Sequence, residues 1–179
     1  MSKDEHEFQS AVRGLEAGDF SRLEPLFMND LPADGRRCPI IQWYDDGLFA
    51  NEPVALAEAL TCACFLGYTS VAEYLIEKGV DPAAGFKTGM NAFHWAANRG
   101  QLGTSMLLIK HKAPLEIKNM YGGTILGTVV WSAVNEPRGE QLRIIEELIK
   151  AGARVEEAAF PSGDERVDNI LAAALREQN

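Results

Sequence analysis

The chain has 179 residues, 26 of them Asp or Glu against 17 Lys or Arg, for a net charge of −9. With 46% hydrophobic and 24% charged residues, it holds enough apolar material for a folded core, which excludes a globally disordered chain. The acidic balance argues against a general nucleic-acid binder and against a polybasic membrane anchor.

The first predicted unit covers 5–28 and reads as a pair of helices. Phe8, Ala11, Val12 and Leu15 fall at helical spacing, and Gly18-Asp19 breaks the run. A second helix is expected over Ser21 to Met28, carrying Leu23, Leu26 and Phe27, with Pro25 awkward inside it. Residues 29–52 read as an insert loop. Pro32, Gly35, Pro39 and Gly47 exclude one continuous helix, and Ile40, Ile41, Trp43, Tyr44, Leu48 and Phe49 need a surface to pack on. Pro53, just after Asn51, restarts the helical pattern.

From there the sequence repeats. Setting Gly67 over Gly100, a shift of 33, aligns residues 61–77 with 94–110 on a shared pattern of two small residues, two variable ones, Gly and an apolar helix. A second shift of 33 sets Asn119 to Leu126 over Phe86 to Phe93. The ending recurs once more at Glu147 to Val155, displaced by 40, so about seven extra residues lie around Val134 to Gly139. Near the C-terminus, Ser162-x-x-Glu165 has the form of a capping box. It precedes a stripe of Val167, Ile170, Leu171, Ala174 and Leu175. That helix would close the stack with a polar outer face.

This period, together with Asn91-Ala-Phe-His94-Trp-Ala-Ala97 and the Gly100 after it, resembles the ankyrin repeat. The resemblance covers about 53–156. It implies an all-α ankyrin-repeat solenoid of about four helix pairs in a single domain: 5–28 as a divergent first pair, the insert 29–52, repeats at 53–85, 86–118 and 119–156, and a cap at 157–179. The pattern departs from the family at Gly127, which stands where the motif His belongs, and in the first repeat, which reads Glu58-Ala-Leu-Thr61. The resemblance assigns structural duties to His94, bridging neighbouring turns, and to Gly67, Gly100 and Gly122. It also implies a concave face formed by the two residues before the inter-helix position that Gly67 and Gly100 hold: Phe65-Leu66, Asn98-Arg99 and, before Ala133, Trp131-Ser132. The turn tips there are Lys87, Thr88 and Met90, then Met120, Tyr121 and Gly123. Ala63, Cys64, Ala96, Ala97, Val129 and Val130 become close-packing positions, and Val71, Leu75, Ile76, Leu107, Leu108, Ile145, Leu148 and Ile149 the buried stripes of the second helices.

Chemistry-bearing patterns are sparse. Cys62 and Cys64 have the wrong spacing for a zinc ribbon, do not face each other on a helix, and read as buried small residues. Gly122-Gly123 lacks the Lys-Ser/Thr of a phosphate loop. Asp45-Asp46 reads as a solvated loop tip. No metal or cofactor is expected. The start of the chain has no signal-peptide pattern, and no apolar run reaches the roughly 20 residues of a membrane span. The expected state is a cytoplasmic monomer.

The expected function is therefore a non-catalytic module that binds another protein through Phe65, Leu66, Lys87, Thr88, Met90, Asn98, Arg99, Met120, Tyr121 and Trp131. Trp43 and Tyr44 of the insert would join them, unless the insert folds back to cover the concave face. Charge is uneven along the chain: residues 82–135 hold five basic residues against Glu116 alone, and the acidic surplus lies on either side. The acidic ends support a second reading, an immunity or inhibitor protein for a basic toxin or nuclease. A remote third is an enzyme with the insert as a lid over Asp45, Asp46, Glu58 and His94.

Overall fold

The computed structural model describes residues 3–28 and 37–177, and every regular element among them is helical. The α-helices are α1 (Lys3–Ala17), α2 (Pro39–Asp45), α3 (Pro53–Leu66), α4 (Thr69–Glu77), α5 (Ala92–Asn98), α6 (Leu102–Lys110), α7 (Ile125–Asn135), α8 (Gln141–Lys150) and α9 (Glu165–Glu177). Short 3-10 helices occupy Phe20–Leu26, Leu48–Asn51 and Val155–Glu157. Two layers run through the stack. One is α1 on α3 on α5 on α7; the other is α2 on α4 on α6 on α8. α9 packs against α7 and α8 and closes the end.

The layers form because of which residues sit where. Small side chains (Ala63, Cys64, Ala96, Ala97) are fully buried between inner helices and let them approach closely. Val71, Leu75, Leu107, Leu108, Ile145 and Leu148 are buried from the outer layer, with Ile76 and Ile149 half-buried at its edge. Burying each large one contributes roughly 1.5–3 kcal/mol before chain entropy is subtracted. Cys38, Cys62 and Cys64 are free thiols, all buried, and burial pushes their pKa values up. They behave as small apolar residues.

The N-terminal third differs from the sequence reading. Residues 21–28 are not the partner helix of α1. Pro25 lacks the N–H that an α-helix needs at that position, and the segment folds instead as the 3-10 helix Phe20–Leu26. The outer-layer position belongs to α2, which lies inside the stretch read as a loop and opens on Pro39 at its first turn. Residues 29–36 of that stretch lie outside the described residues. α2 is anchored by its apolar face. Ile40 and Trp43 are buried, Trp43 meets Phe8 edge-on at 5.5 Å between ring centroids, and Tyr44 meets Tyr74 of α4 at 6.0 Å. Phe49 closes the same cluster against Phe8 at 5.0 Å. Asp45 is no free loop tip either. It accepts hydrogen bonds from Tyr74 and, at 2.8 Å, from Arg37, and these hold its carboxyl below the usual carboxylate range, the Tyr74 bond most.

The first repeat is also irregular at its other end. α3 begins at Pro53, 39 residues before α5 begins at Ala92, so helix occupies the positions where the next repeat makes its turn. The C-terminal cap is offset as well. Asp164, not Ser162, caps α9, accepting from the N–H groups of Arg166 and Val167, while the N–H of Ser162 donates to Asp168. The extra length of the third helix pair goes mostly into helix: with a shift of 33, α7 starts where α5 does and runs four residues past its end, and the loop to α8 spans 136–140 where the one between α5 and α6 spans 99–101.

Candidate functional site: the concave face of the second and third repeats

The turns that project from the stack are tied to one another. His94 sits at the start of α5 in a reciprocal cap. The Asn91 side chain accepts from the N–H groups of Phe93 and His94, both at 3.0 Å, and His94 Nδ1 accepts from the N–H of Asn91 at 3.2 Å. That leaves the proton on Nε2, which donates to the carbonyls of Ile117 (2.9 Å) and Gly123 (3.2 Å) in the next turn. His94 is fully buried, and burial lowers its pKa to about 4. These partners give it a bridging duty between turns.

The first repeat makes an equivalent bridge with different residues. Thr61 stands 33 residues before His94 and donates to the carbonyl of Gly85 at 3.2 Å; Glu58 accepts from the N–H of Lys87 at 2.7 Å. The sequence showed a degenerate motif there, and the structure shows a substitute of the same reach. In the third repeat, Thr124 caps α7 by accepting from Gly127 N–H. A side chain at Gly127 would meet the carbonyl of Glu157 at 3.3 Å, which leaves little room for an imidazole.

The turn tip at Asn119–Gly123 is held rigid from within. The Asn119 side chain accepts from the N–H groups of Tyr121 and Gly123 and donates to Thr128, and the N–H of Met120 donates to the carbonyl of Gly89 in the preceding turn. Gly122 adopts φ +84° at the tip, a conformation that L side chains rarely take. Met120 is 63% exposed on this platform and Tyr121 81% exposed.

Deeper in, a line of rings crosses the first two repeats. Phe20 meets Phe65 edge-on at 5.5 Å, Phe65 meets Trp95 at 5.0 Å, and the Arg99 guanidinium lies over the Phe65 ring at 4.5 Å. Trp95 donates its indole N–H to Thr88 at 2.8 Å. Phe65 and Leu66 are half-buried. The cover over Phe65 comes from the 3-10 helix Phe20–Leu26, not from the 29–52 stretch, whose described part packs on α1, α3 and α4. The spacing between Phe20 and Phe65 left no local signal for this contact.

The predicted binding residues therefore divide. Met120, Tyr121 and Trp131 (54% exposed) present large apolar surface, Lys87 is exposed and Arg99 is half-buried. Trp43 and Met90 are core residues, 6% and 7% exposed. Trp43 is held there by the Phe8–Phe49 cluster, and Met90 sits at the base of its turn, where its carbonyl accepts from Thr88. Tyr44 is half-buried against α4. Asn98 is buried, its carbonyl accepting from the Gln141 side chain at 2.7 Å. Thr88 is occupied with Trp95 and Met90. Three of the four enzyme candidates are engaged separately, Asp45 with Tyr74 and Arg37, Glu58 with Lys87 N–H and His94 with the next turn, and Asp46 is exposed. Charge is more mixed than the linear reading implies, because Lys110 pairs with Glu73 at 3.5 Å and Lys118 with Glu157 at 3.2 Å. Among the described residues, no helix is long and apolar enough to cross a membrane.

A family model described as ankyrin repeats, in three copies, matches residues 60–159. A comparison with curated proteins finds no match. The matched span takes in the second half of α3 and all of α4 to α8 with the turns that link them, and the chain belongs to the ankyrin-repeat family, whose repeats are generally protein–protein interaction modules.

Proposed function

We propose that this protein is a non-catalytic binding module that takes hold of another protein on the concave side of its second and third repeats. The contact residues are Met120, Tyr121, Trp131 and Arg99, with Phe65, Leu66 and Lys87 at the margin. The observation that carries this reading is the exposure of Met120, Tyr121 and Trp131 on a scaffold whose turns are hydrogen-bonded to each other. Large apolar side chains held rigidly in solvent mark interaction surfaces, and Trp and Tyr are frequent anchors of binding energy. A rigid platform also lowers the ordering cost of association.

The test is affinity capture from the native host with the wild-type chain and with a Trp131→Ala/Tyr121→Ala double variant. Neither side chain is in the core, so the variant melts within about 0.5 kcal/mol of wild type. Partners recovered by the wild type and lost by the folded variant support the reading. An unchanged partner set refutes this face as the site.

A further inference from the structure

Near the α7–α8 loop, Gln141 ties together the backbone neighbourhoods of Arg99, Arg138 and Trp131, and the two arginine charges are close enough to interact. The Gln141 side chain is buried. Its Nε2 donates to the carbonyl of Asn98 (2.7 Å) and to the hydroxyl of Ser132 (3.1 Å), and its Oε1 accepts from the N–H of Arg138 (2.7 Å). One amide thus pins the residue before Arg99, the residue after Trp131, and the backbone of Arg138 itself. Gly100 tightens the junction: it adopts φ +71°, and its Cα lies so close to the loop that an added Cβ would sit 2.9 Å from the Arg138 carbonyl oxygen.

Electrostatically the cluster is incomplete. Arg99 is half-buried with its guanidinium over Phe65, and among the described residues no group accepts a hydrogen bond from it. Desolvation, followed by the charge of Arg138, disfavours its cation, while Glu136 opposes this. Glu136 also pairs with Arg138 at 3.6 Å, so this carboxylate serves both cations. Guanidinium groups offer planar, forked donors suited to carboxylates, and here one of them is already fixed against a ring. Trp131, exposed and next in the chain to the Ser132 that Gln141 holds, supplies apolar surface.

Building on the proposed function, we infer that the partner segment is acidic: it places an Asp or Glu carboxylate between Arg99 and Arg138 and an aromatic or aliphatic side chain against Trp131. The overall charge of −9 does not oppose this, because salt screens distant charges within about 8–10 Å while the two cations act at contact. The local field would steer an acidic segment in and reject a basic one.

The test is selection of linear peptides from a random displayed library on the full chain, run in parallel on wild type, Arg99→Gln/Arg138→Gln and Trp131→Ala. Glutamine keeps most of each side-chain stem, and thermal melts check that the variants fold. Acidic residues are expected to be enriched next to an apolar one in the wild-type pool. That enrichment should vanish with the double Gln variant, and a synthetic wild-type winner should bind it about tenfold more weakly, the size of one charge-assisted hydrogen bond. Neutral or basic winners, or acidic winners indifferent to the double variant, overturn the inference. If such winners still need Trp131, the acidic specificity fails while the binding face stands. If they ignore Trp131 as well, both fail. A wild-type pool with no enriched sequence overturns the inference too.

Discussion

Acidification should weaken this fold through His94, and the amount follows from its surroundings. The ring is fully buried, takes a hydrogen bond on Nδ1 and gives its Nε2 proton to the Ile117 and Gly123 carbonyls. Burial brings its pKa from 6.5 down to about 4, against a smaller opposing effect of the two carbonyls. Above pH 6.5 the imidazole is neutral in both folded and unfolded chains and adds no pH dependence. Between 6.5 and 4 the unfolded chain takes up a proton that the folded chain refuses, so stability falls as pH falls. Over that interval the loss is about 3 kcal/mol, of which about 2 kcal/mol has accrued by pH 5. Other groups titrate as well: Glu58, whose pKa burial raises, acts in the opposite direction. A comparison with His94→Gln removes those shared contributions. The variant loses part of the bridge and is less stable at pH 7 by about 1–3 kcal/mol, but it has no imidazole to titrate. Urea unfolding followed by circular dichroism at pH 7 and pH 5 should therefore show the gap between the two proteins narrowing by about 2 kcal/mol. A gap that stays constant refutes the assignment of His94 as a buried neutral bridge.

Two further substitutions probe the scaffold. Trp43→Ala should destabilise by about 3–5 kcal/mol, the cost of emptying a buried aromatic site, and a calorimetric melt measures it. An unchanged melting temperature would return Trp43 to the surface. Gly100→Ala combines a left-handed residue, costing about 1–2 kcal/mol, with a Cβ pressed against the Arg138 carbonyl. A total loss near or above 2 kcal/mol is expected in urea titration, and an Ala variant as stable as wild type would deny the close approach of the α7–α8 loop.

What could be read from the sequence was whatever repeats. The 33-residue shift places His94, Gly67, Gly100 and the buried stripes without any tertiary information, because each repeat solves the same packing problem with similar residues. Tertiary compensation was invisible. Thr61 and Glu58 look like a lost motif, yet they reach the neighbouring turn as His94 does, which only the position of Gly85 and Lys87 reveals. α2 lay in a stretch whose prolines and glycines argued for a loop, although Pro39 is a helix starter rather than a breaker at its position. Met90 and Asn98 fall at positions that face outward in an idealised repeat, and here the turn base and Gln141 enclose them. The exposed residues Met120, Tyr121 and Trp131 were named from position alone; the first two stand on the rigid tip, and Trp131 is exposed on α7.

The cover of Phe65 by Phe20 has a consequence for the order of assembly. Phe20 is synthesised well before its partners: its carbonyl lies 3.8 Å from the Cys62 thiol, 42 residues on, and the neighbouring Gly18 abuts Thr88 of the second repeat. Until α3 and the turn after α4 exist, this segment has only α1 to pack on. Repeat stacks are held from neighbour to neighbour, so the contacts of the 3-10 helix Phe20–Leu26 are complete only once α3 and the turn after α4 are in place. The ring that supports Arg99 is thus backed from far away in the chain, and the segment stitches α1 to the first and second repeats.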